Sequence, residues 1–180
     1  MIASTIATAL WAMGPAYVPN NAAVLAGGGD PIDGGREWRG RRLLGDGKTW
    51  RGSAAGMLAG VALALVLNAV VGPASGALGV SLPTFPISVA LALAAGAMAG
   101  DVGASFLKRR VGRERGASFP GLDQLDFVVG ALAAVFVVAP GWAGDVFTPL
   151  VVVAVVVVTP VLHLGTNIVA YAAGLKSEPW

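Results

Sequence analysis

From Ser53 to Val71, and again from Phe147 to Ala173, the chain contains no Lys, Arg, Asp or Glu. Runs of this kind match the ~20 apolar residues that a helix needs to cross the hydrocarbon core of a bilayer. Backbone groups in lipid have no water to bond to, so such runs fold as helices. Three further apolar stretches, at about 2–26, 87–107 and 127–142, contain a single charge, Asp101. Of the 180 residues, 56% are hydrophobic and 12% charged, and the mean hydropathy is +0.74. This places the chain in the integral membrane class and leaves no room for a separate soluble domain. The expected architecture is one all-α transmembrane domain over 1–180. Its five spans lie at about 2–26, 53–71, 87–107, 127–142 and 147–173, with polar loops at about 27–52 and 108–126.

The cations fix an expected orientation. Arg36, Arg39, Arg41, Arg42, Lys48 and Arg51 form one group, Lys108, Arg109, Arg110, Arg113 and Arg115 a second, and Lys176 stands near the C-terminus. The connections around Gly72–Pro86 and Pro140–Pro149 contain none. By the positive-inside bias all three groups face the cytoplasm, so the N-terminus is outside and the number of spans is odd. Asp145 is the only charge expected outside. In this setting a pI of 9.4 reflects charge facing anionic lipid heads or phosphate substrates, not nucleic acid. The start of the chain lacks Lys and Arg, unlike a cleaved signal peptide, so the first segment is expected to stay in the mature protein. There is no Cys, and His163 is the only His, which excludes Cys-ligated and multi-His metal sites.

The densest polar chemistry lies between Gly100 and Phe127. Asp101, Ser105 and Lys108 are spaced i, i+4, i+7 and share one helix face, with Arg109 close to it and Arg110 pointing away. A Gly-punctuated basic loop follows, and Pro120-Gly121 suit a turn before Asp123 and Asp126 open the next apolar run. Carboxylates facing cations beside a Gly-rich loop can hold a metal–nucleotide, the carboxylates on Mg²⁺ and the cations on phosphate oxygens. The same residues also fit a plain positive-inside anchor, with Asp123 as an N-cap and Asp101 as a solvated charge at a helix end.

The first polar loop opens with Gly27-Gly28-Gly29-Asp30-Pro31-Ile32-Asp33 and ends with Gly45-Asp46-Gly47-Lys48-Thr49-Trp50-Arg51-Gly52. The Gly-Lys-Thr triplet is not a P-loop, because the Gly required five residues before Gly47 is Arg42 and no strand pattern precedes it. Small residues still permit close backbone approach, and Arg42, Lys48 and Arg51 are phosphate donors.

Gly52, Gly56 and Gly60 on one helix, and Gly96, Gly100 and Gly103 on the next, mark faces for close helix packing. In the first span Pro15, Pro19, Asn20 and Asn21 break the helix, either as a packed kink or as the lining of a wet cavity. In the last span Thr159, His163, Asn167 and Tyr171 recur every four residues as a polar stripe that must face protein or water. A lone His there suits a hydrogen-bonded packing role as well as chemistry.

Taken together and in order, these segments resemble the CDP-archaeol synthases, archaeal membrane cytidylyltransferases related to the CDP-diacylglycerol synthases. The resemblance covers Pro15–Asn20, Gly27–Asp33, Gly45–Gly52, Gly100–Arg110 and Leu122–Phe127, and it closes with His163, Asn167, Tyr171 and Pro179-Trp180. One departure is Arg39-Gly40, where the family tends to have Asp-Gly; this removes any carboxylate role at position 39.

The resemblance implies five helices around a polar cavity facing the cytoplasm, with CTP and Mg²⁺ as reactants. The lipid substrate it implies is an unsaturated isoprenoid ether-lipid phosphate, digeranylgeranylglyceryl phosphate. Its phosphate attacks the α-phosphorus of CTP, and pyrophosphate leaves. Such a phosphate is already a nucleophile, so positioning and charge neutralisation suffice. On this reading Asp101, Asp123 and Asp126 hold Mg²⁺, while Lys108, Arg109, Lys48 and Arg51 contact phosphates. Ser105 donates a hydrogen bond, Arg42 and Thr49 join the nucleotide-binding loop, and Asp46 is a second metal or base contact. The isoprenoid chains lie in a groove open to the bilayer. The alternatives are a transporter or lipid-binding scaffold, and within the enzymes a CDP-diacylglycerol synthase. Against a transporter, the charges gather at one end rather than at the midplane, and no inverted repeat is evident.

Overall fold

The first span is broken where its prolines demand it. In the computed structural model, which describes residues 2–113 and 121–172 apart from the side chains of Leu122, Asn167, Val169 and Ala170, helix α1 (Ile2–Tyr17) stops and α2 (Pro19–Ala26) begins one residue later. Expectations placed on Arg115, Pro120, Lys176, Pro179, Trp180 and the side chain of Asn167 lie outside the described residues. Pro19 has no N–H to give to the carbonyl four residues back, which is that of Pro15. That carbonyl is turned against the glycine face of α3 (Trp50–Leu78). A Cβ at Gly60 would stand 2.5 Å from the Pro15 oxygen, and one at Gly56 would stand 2.7 Å from the Pro19 oxygen. The Gly52–Gly56–Gly60 ridge is thus buried against the break, as its spacing predicts.

Helix α3 is longer than the sequence suggests. Gly72-Pro73, read as the start of a loop, lies inside it, and the helix stops at Gly79, whose φ of 63° only a glycine adopts freely. A proline well inside a long helix forfeits one hydrogen bond and kinks the helix, and here the rest of the ladder carries through. The connection to α4 (Ile87–Arg110) is therefore short and pinned from three helices. Asn68 Nδ2 donates to the Phe85 carbonyl at 2.9 Å, Trp11 Nε1 to Pro83 at 2.9 Å and Trp142 Nε1 to Thr84 at 2.9 Å. These bonds satisfy backbone carbonyls that no helix serves.

Helix α4 is the centre of the bundle, with Val89, Leu93 and Ala97 fully buried. It packs backbone to backbone on α5 (Leu122–Val138): a Cβ at Gly96 would meet the Gly130 carbonyl at 2.6 Å, and Gly100 lies directly against the Asp126 carbonyl. Gly103, expected on the same face, is not in this contact, and a Cβ there meets nothing within 4 Å among the described residues. The reason is that α5 starts at Leu122, so one turn past the Gly100–Asp126 contact its partner helix ends. Asp123 lies in the first turn of α5 and is not its N-cap; that position is Gly121, whose N–H donates to Gln124 Oε1 at 2.5 Å. Short α6 (Pro140–Val146) and long α7 (Pro149–Ala172) complete the fold.

Among the described residues three helices are long and apolar enough to cross a membrane: α3, α4 and the Pro149–Thr166 part of α7. Their outer faces expose large apolar side chains such as Leu58, Val153 and Val161, as suits a perimeter solvated by lipid. Among the described residues the departures from an all-α chain are at the polar end, where β1 (Glu37–Trp38) pairs antiparallel with β2 (Arg41–Arg42) in a small hairpin and Pro31 bridges Thr49.

Candidate active site

The hairpin segment is a frame. Asp33, almost fully buried, accepts hydrogen bonds from Arg42 at 2.8 Å and from the backbone N–H of Leu44, Gly45 and Gly35 at 3.0, 3.2 and 3.1 Å. The Arg42 guanidinium, with these N–H groups, holds the Asp33 carboxyl well below the usual carboxylate range, against the opposing effect of burial. Arg42 is in turn held firmly protonated by Asp33 and by Asp46, which it meets at 2.5 Å. Arg110 threads under the hairpin, donating to the carbonyls of Trp38 and Arg42 at 2.8 Å while its guanidinium covers the stacked Trp38 and Phe106 rings.

This frame delivers Lys48. Its Nζ lies 2.5 Å from Asp101 Oδ2, a carboxylate nine residues before the end of α4 and hence about 13 Å into the bundle. One face of α4 also presents Lys108, which meets Asp123 of α5 at 2.7 Å. Asp101, Lys108, Asp123 and Asp126 line a single cavity of about 370 Å³. The opposite wall comes from the helix break and from α7: Tyr17, Asn20 and Asn21, then Thr159, His163 and Thr166. Tyr17 OH and Thr159 Oγ1 share a hydrogen bond at 2.9 Å, and the Tyr17 ring packs edge-on to Phe127. A smaller pocket of about 110 Å³ adjoins it, sharing Asn20 and Asp101 and adding Lys48 and Thr49.

The sequence-chosen residues therefore divide. Asp101, Lys108, Asp123 and Asp126 meet in the cavity, and Lys48 reaches it through Asp101. The others do not line this cavity, although Thr49 lines the adjoining pocket. Thr49 is the N-cap of α3, accepting from Gly52 N at 3.1 Å. Arg51 donates to the carbonyls of Ala26 and Gly27, where α2 ends. Arg109 donates to the Arg113 carbonyl at 2.5 Å, and Ser105 is buried outside the cavity lining. Arg42 and Asp46 pair with each other at the frame. Sequence reasoning offered Asn20 and Asn21 as cavity lining in one of two readings of the helix break and put Thr159 and His163 on a polar stripe, but it assigned no site role to Asp33, Tyr17 or Thr166. Their signal was a polar residue in an apolar or Gly-rich run, but which of them meet is decided by packing.

The donor set suits a hard divalent cation. Three carboxylates line the cavity, and Asn20 Oδ1 is buried with no hydrogen-bond partner among the described residues, leaving an acceptor whose desolvation they do not compensate. Among the described residues no three acidic or imidazole side chains converge on one point. Lys48 and Lys108 are paired with two of the carboxylates. Asp126 feels the repulsion of Asp101 and the attraction of both lysines.

A family model described as CDP-archaeol synthase, CarS-like, matches residues 2–180. The chain belongs to the CDP-archaeol synthase family. It is 73% identical over 180 residues to the CDP-archaeol synthase of Halorubrum lacusprofundi, with all of both chains covered. It is 64% identical to that of Halobacterium salinarum, over 99% of each chain, and 47% identical to that of Methanosarcina mazei, over 92% of this chain and 99% of the other. A solved structure of an intramembrane enzyme for archaeal membrane lipid biosynthesis superposes with a TM-score of 0.70 at 40% identity, covering 89% of this chain and 92% of that one. Membership of the family makes the chain a membrane-embedded enzyme of lipid synthesis, and the transporter and scaffold alternatives fall away.

Proposed function

We propose that the cavity between the α1–α2 break, α4, α5 and α7 is where CTP meets the phosphate of a di-isoprenoid ether lipid. As a member of the CDP-archaeol synthase family the chain is a CTP-dependent nucleotidyltransferase that activates an archaeal lipid phosphate. A lipid phosphate oxygen bonds to the α-phosphorus, the bond from that phosphorus to the β-phosphate bridge breaks, and pyrophosphate leaves. The observation that carries the reading is a pair of lysine–aspartate contacts: Lys108–Asp123 in the cavity, and Lys48–Asp101, which joins it to the adjoining smaller pocket. Each lysine would donate to phosphate from a position held by a carboxylate, and each carboxylate would ligate the metal from a position held by a lysine.

Asp101, Asp123 and Asp126, with Asn20 Oδ1 beside Asp101, are the residues that would hold Mg²⁺. Bound there, the ion supplies charge neutralisation to the triphosphate. Lys48 and Lys108 then exchange carboxylate for phosphate, which stabilises the charge gathering on the leaving group. The frame of Asp33, Arg42, Asp46 and Arg110 keeps Lys48 aimed at the cavity. The polar end faces the cytoplasm in this reading, because the described cations gather there. The broken α1–α2 segment and α5 then complete five spans, with the N-terminus outside.

The test uses purified protein in lipid with α-labelled CTP and Mg²⁺, offering digeranylgeranylglyceryl phosphate and phosphatidic acid in parallel, with EDTA as control. Metal-dependent label in the ether lipid is the expected result. Label in phosphatidic acid alone would keep the chemistry and change the lipid class. No label in either, from folded protein, would end the proposal.

A further inference from the structure

The two faces of the β1–β2 hairpin are used differently. Directly opposed residues of a strand pair share a face, and neighbours along a strand point to opposite faces. Glu37 is opposite Arg42, and Trp38 is opposite Arg41. The Arg42 side chain serves the frame through Asp33 and Asp46. The Arg39 and Arg41 side chains serve neither the frame nor the reaction described above. With the end of α4 they form a pocket of about 490 Å³, lined by Trp38, Arg39, Arg41, Phe106 and Arg110. None of these five residues lines the polar cavity.

Three guanidinium groups meet at this pocket around one aromatic stack. The Trp38 and Phe106 ring centroids are 6.1 Å apart. Arg110 Cζ lies 5.2 Å from the Trp38 ring and 5.3 Å from the Phe106 ring, and Arg39 Cζ lies 5.8 Å from the Trp38 ring. Arg41 reaches across to the chain just past α4, where a Cβ at Gly112 would stand 2.8 Å from its Nη1. Among the described residues no carboxylate lines the pocket, and none pairs with Arg39 or Arg41. Like charges gathered without a counter-ion repel one another, and an anion between them removes that cost. A guanidinium fork matches the oxygens of a phosphate, and the flat rings shield one side of the contact from water.

The level of the pocket points to the source of that phosphate. Helix α4 is long and apolar enough to cross a membrane, and Arg110 is its last residue. Leu107 and Val111, 53% and 63% exposed, stand apolar on the adjoining side of the same turn. Trp38 is half-exposed beside them along the helix end. A span that ends among exposed apolar side chains, cations and an indole ends at the level of lipid headgroups. We propose that the hairpin–α4 pocket binds a phosphate ester that is not a reactant, the headgroup of a resident bilayer lipid, which ties the hairpin to the end of α4. The site shares no residue with the polar cavity, so it does not depend on the reaction assigned there. Each arginine near a membrane surface strengthens binding of an anionic lipid by roughly fivefold.

The experiment titrates full-length protein in detergent with phosphatidylglycerol, with zwitterionic phosphatidylcholine and with soluble glycerol phosphate. Bound molecules are counted by native mass spectrometry, and the ligand-induced change in Tm is followed alongside. Wild type is compared with Arg41→Gln, with the Arg39→Gln/Arg41→Gln pair and with Arg36→Gln. Arg36 is an exposed cation of the same loop that lines a different pocket, so its loss changes the net charge equally. Wild type is expected to bind one phosphatidylglycerol in preference to phosphatidylcholine. Arg41→Gln should weaken it roughly fivefold and the double variant about thirtyfold, with Arg36→Gln at the wild-type level. Arg41→Lys keeps the charge without the fork and should recover part of the loss, which separates binding from a disturbed hairpin. Glycerol phosphate bound with the same dependence on Arg39 and Arg41 would keep the site and make its ligand a soluble phosphate ester. Equal losses in Arg36→Gln and Arg41→Gln would reduce the effect to diffuse charge and overturn the inference. So would binding of both phosphates that is unchanged in the double variant, or no binding of either by the wild type. The readout needs no turnover, so a failure of label transfer leaves this result standing.

Discussion

Lys108 Nζ lies 2.7 Å from Asp123 Oδ1, joining the last turns of α4 to the first turn of α5 at the rim of the cavity. The contact answers a local need, since a lysine and a carboxylate facing a low-dielectric interior satisfy each other. It also loads the site, because the same two groups are those a metal–triphosphate would separate. Both are about one-quarter exposed, so the pair is reachable from the polar end.

Asp123→Asn keeps the shape of this contact and removes its charge. Turnover is expected to fall by about 10²–10³-fold, with the Tm little changed because an ion pair that solvent reaches contributes little to stability. Initial rates of label transfer and a thermal melt in detergent check both halves. Near-normal activity would remove Asp123 from the site.

Asp33 is a structural carboxylate and titrates as one. Its folded-state pKa lies below the unfolded value, so its contribution to stability is fully present above the ordinary carboxylate range and is lost as the pH falls below about 3.9. Asp33→Asn should lower the Tm at neutral pH and flatten the acid side of the Tm–pH curve. Because the frame positions Lys48, KM for CTP should rise as well. An acid limb as steep as that of the wild type would place the sensitivity elsewhere.

Arg39 and Gly40 both have positive φ, 55° and 71°, at the turn between β1 and β2. A two-residue hairpin turn of this hand favours Asp-Gly or Asn-Gly, whose first residue tolerates the left-handed region. Arg39 is, among the described residues, the one non-glycine in that region. An Asp-Gly pair at these two positions would suit the turn by conformation alone. Arg39→Asn is expected to raise the Tm, by about 1 kcal/mol of stability or less, with kcat/KM unchanged. A fall in activity would show that the Arg39 side chain is used.

What the sequence made legible follows a physical line. Asp101, Lys108, Asp123 and Asp126 were readable because helix periodicity brings residues at such spacings to one face, and charges in apolar runs are costly unless used. The α1–α2 break and the Gly52–Gly56–Gly60 ridge were readable because Pro and Gly act through the backbone. For Arg51, Thr49 and Arg109 the sequence did not show the cap and loop carbonyls they serve in the structure, since the donors and hydroxyls that bind phosphate also cap helix ends and serve loop carbonyls. The pairing of Tyr17 with Thr159, 142 residues apart, and the docking of Arg110 under the hairpin are tertiary facts with no local signature.

The glycines give a test of packing that needs no substrate. At Gly56 a Cβ would stand 2.7 Å from the Pro19 carbonyl oxygen and 2.8 Å from Met98 Sδ, and the first of these is backbone and cannot swing away. Gly56→Ala must therefore push α3 from the α1–α2 break, costing roughly 1–3 kcal/mol. Gly76, on the same helix, has nothing within 4 Å of its Cβ position, and Ala there gains up to about 1 kcal/mol of helix propensity. The two substitutions are chemically identical and should move the Tm in opposite directions. Because Asn20 follows Pro19 into the cavity, Gly56→Ala should also depress activity in the molecules that remain folded, whereas Gly76→Ala should leave it intact. Equal Tm values for the two variants would mean that α3 does not pack through its glycine ridge, and the wall that carries Asn20 would have to be placed anew.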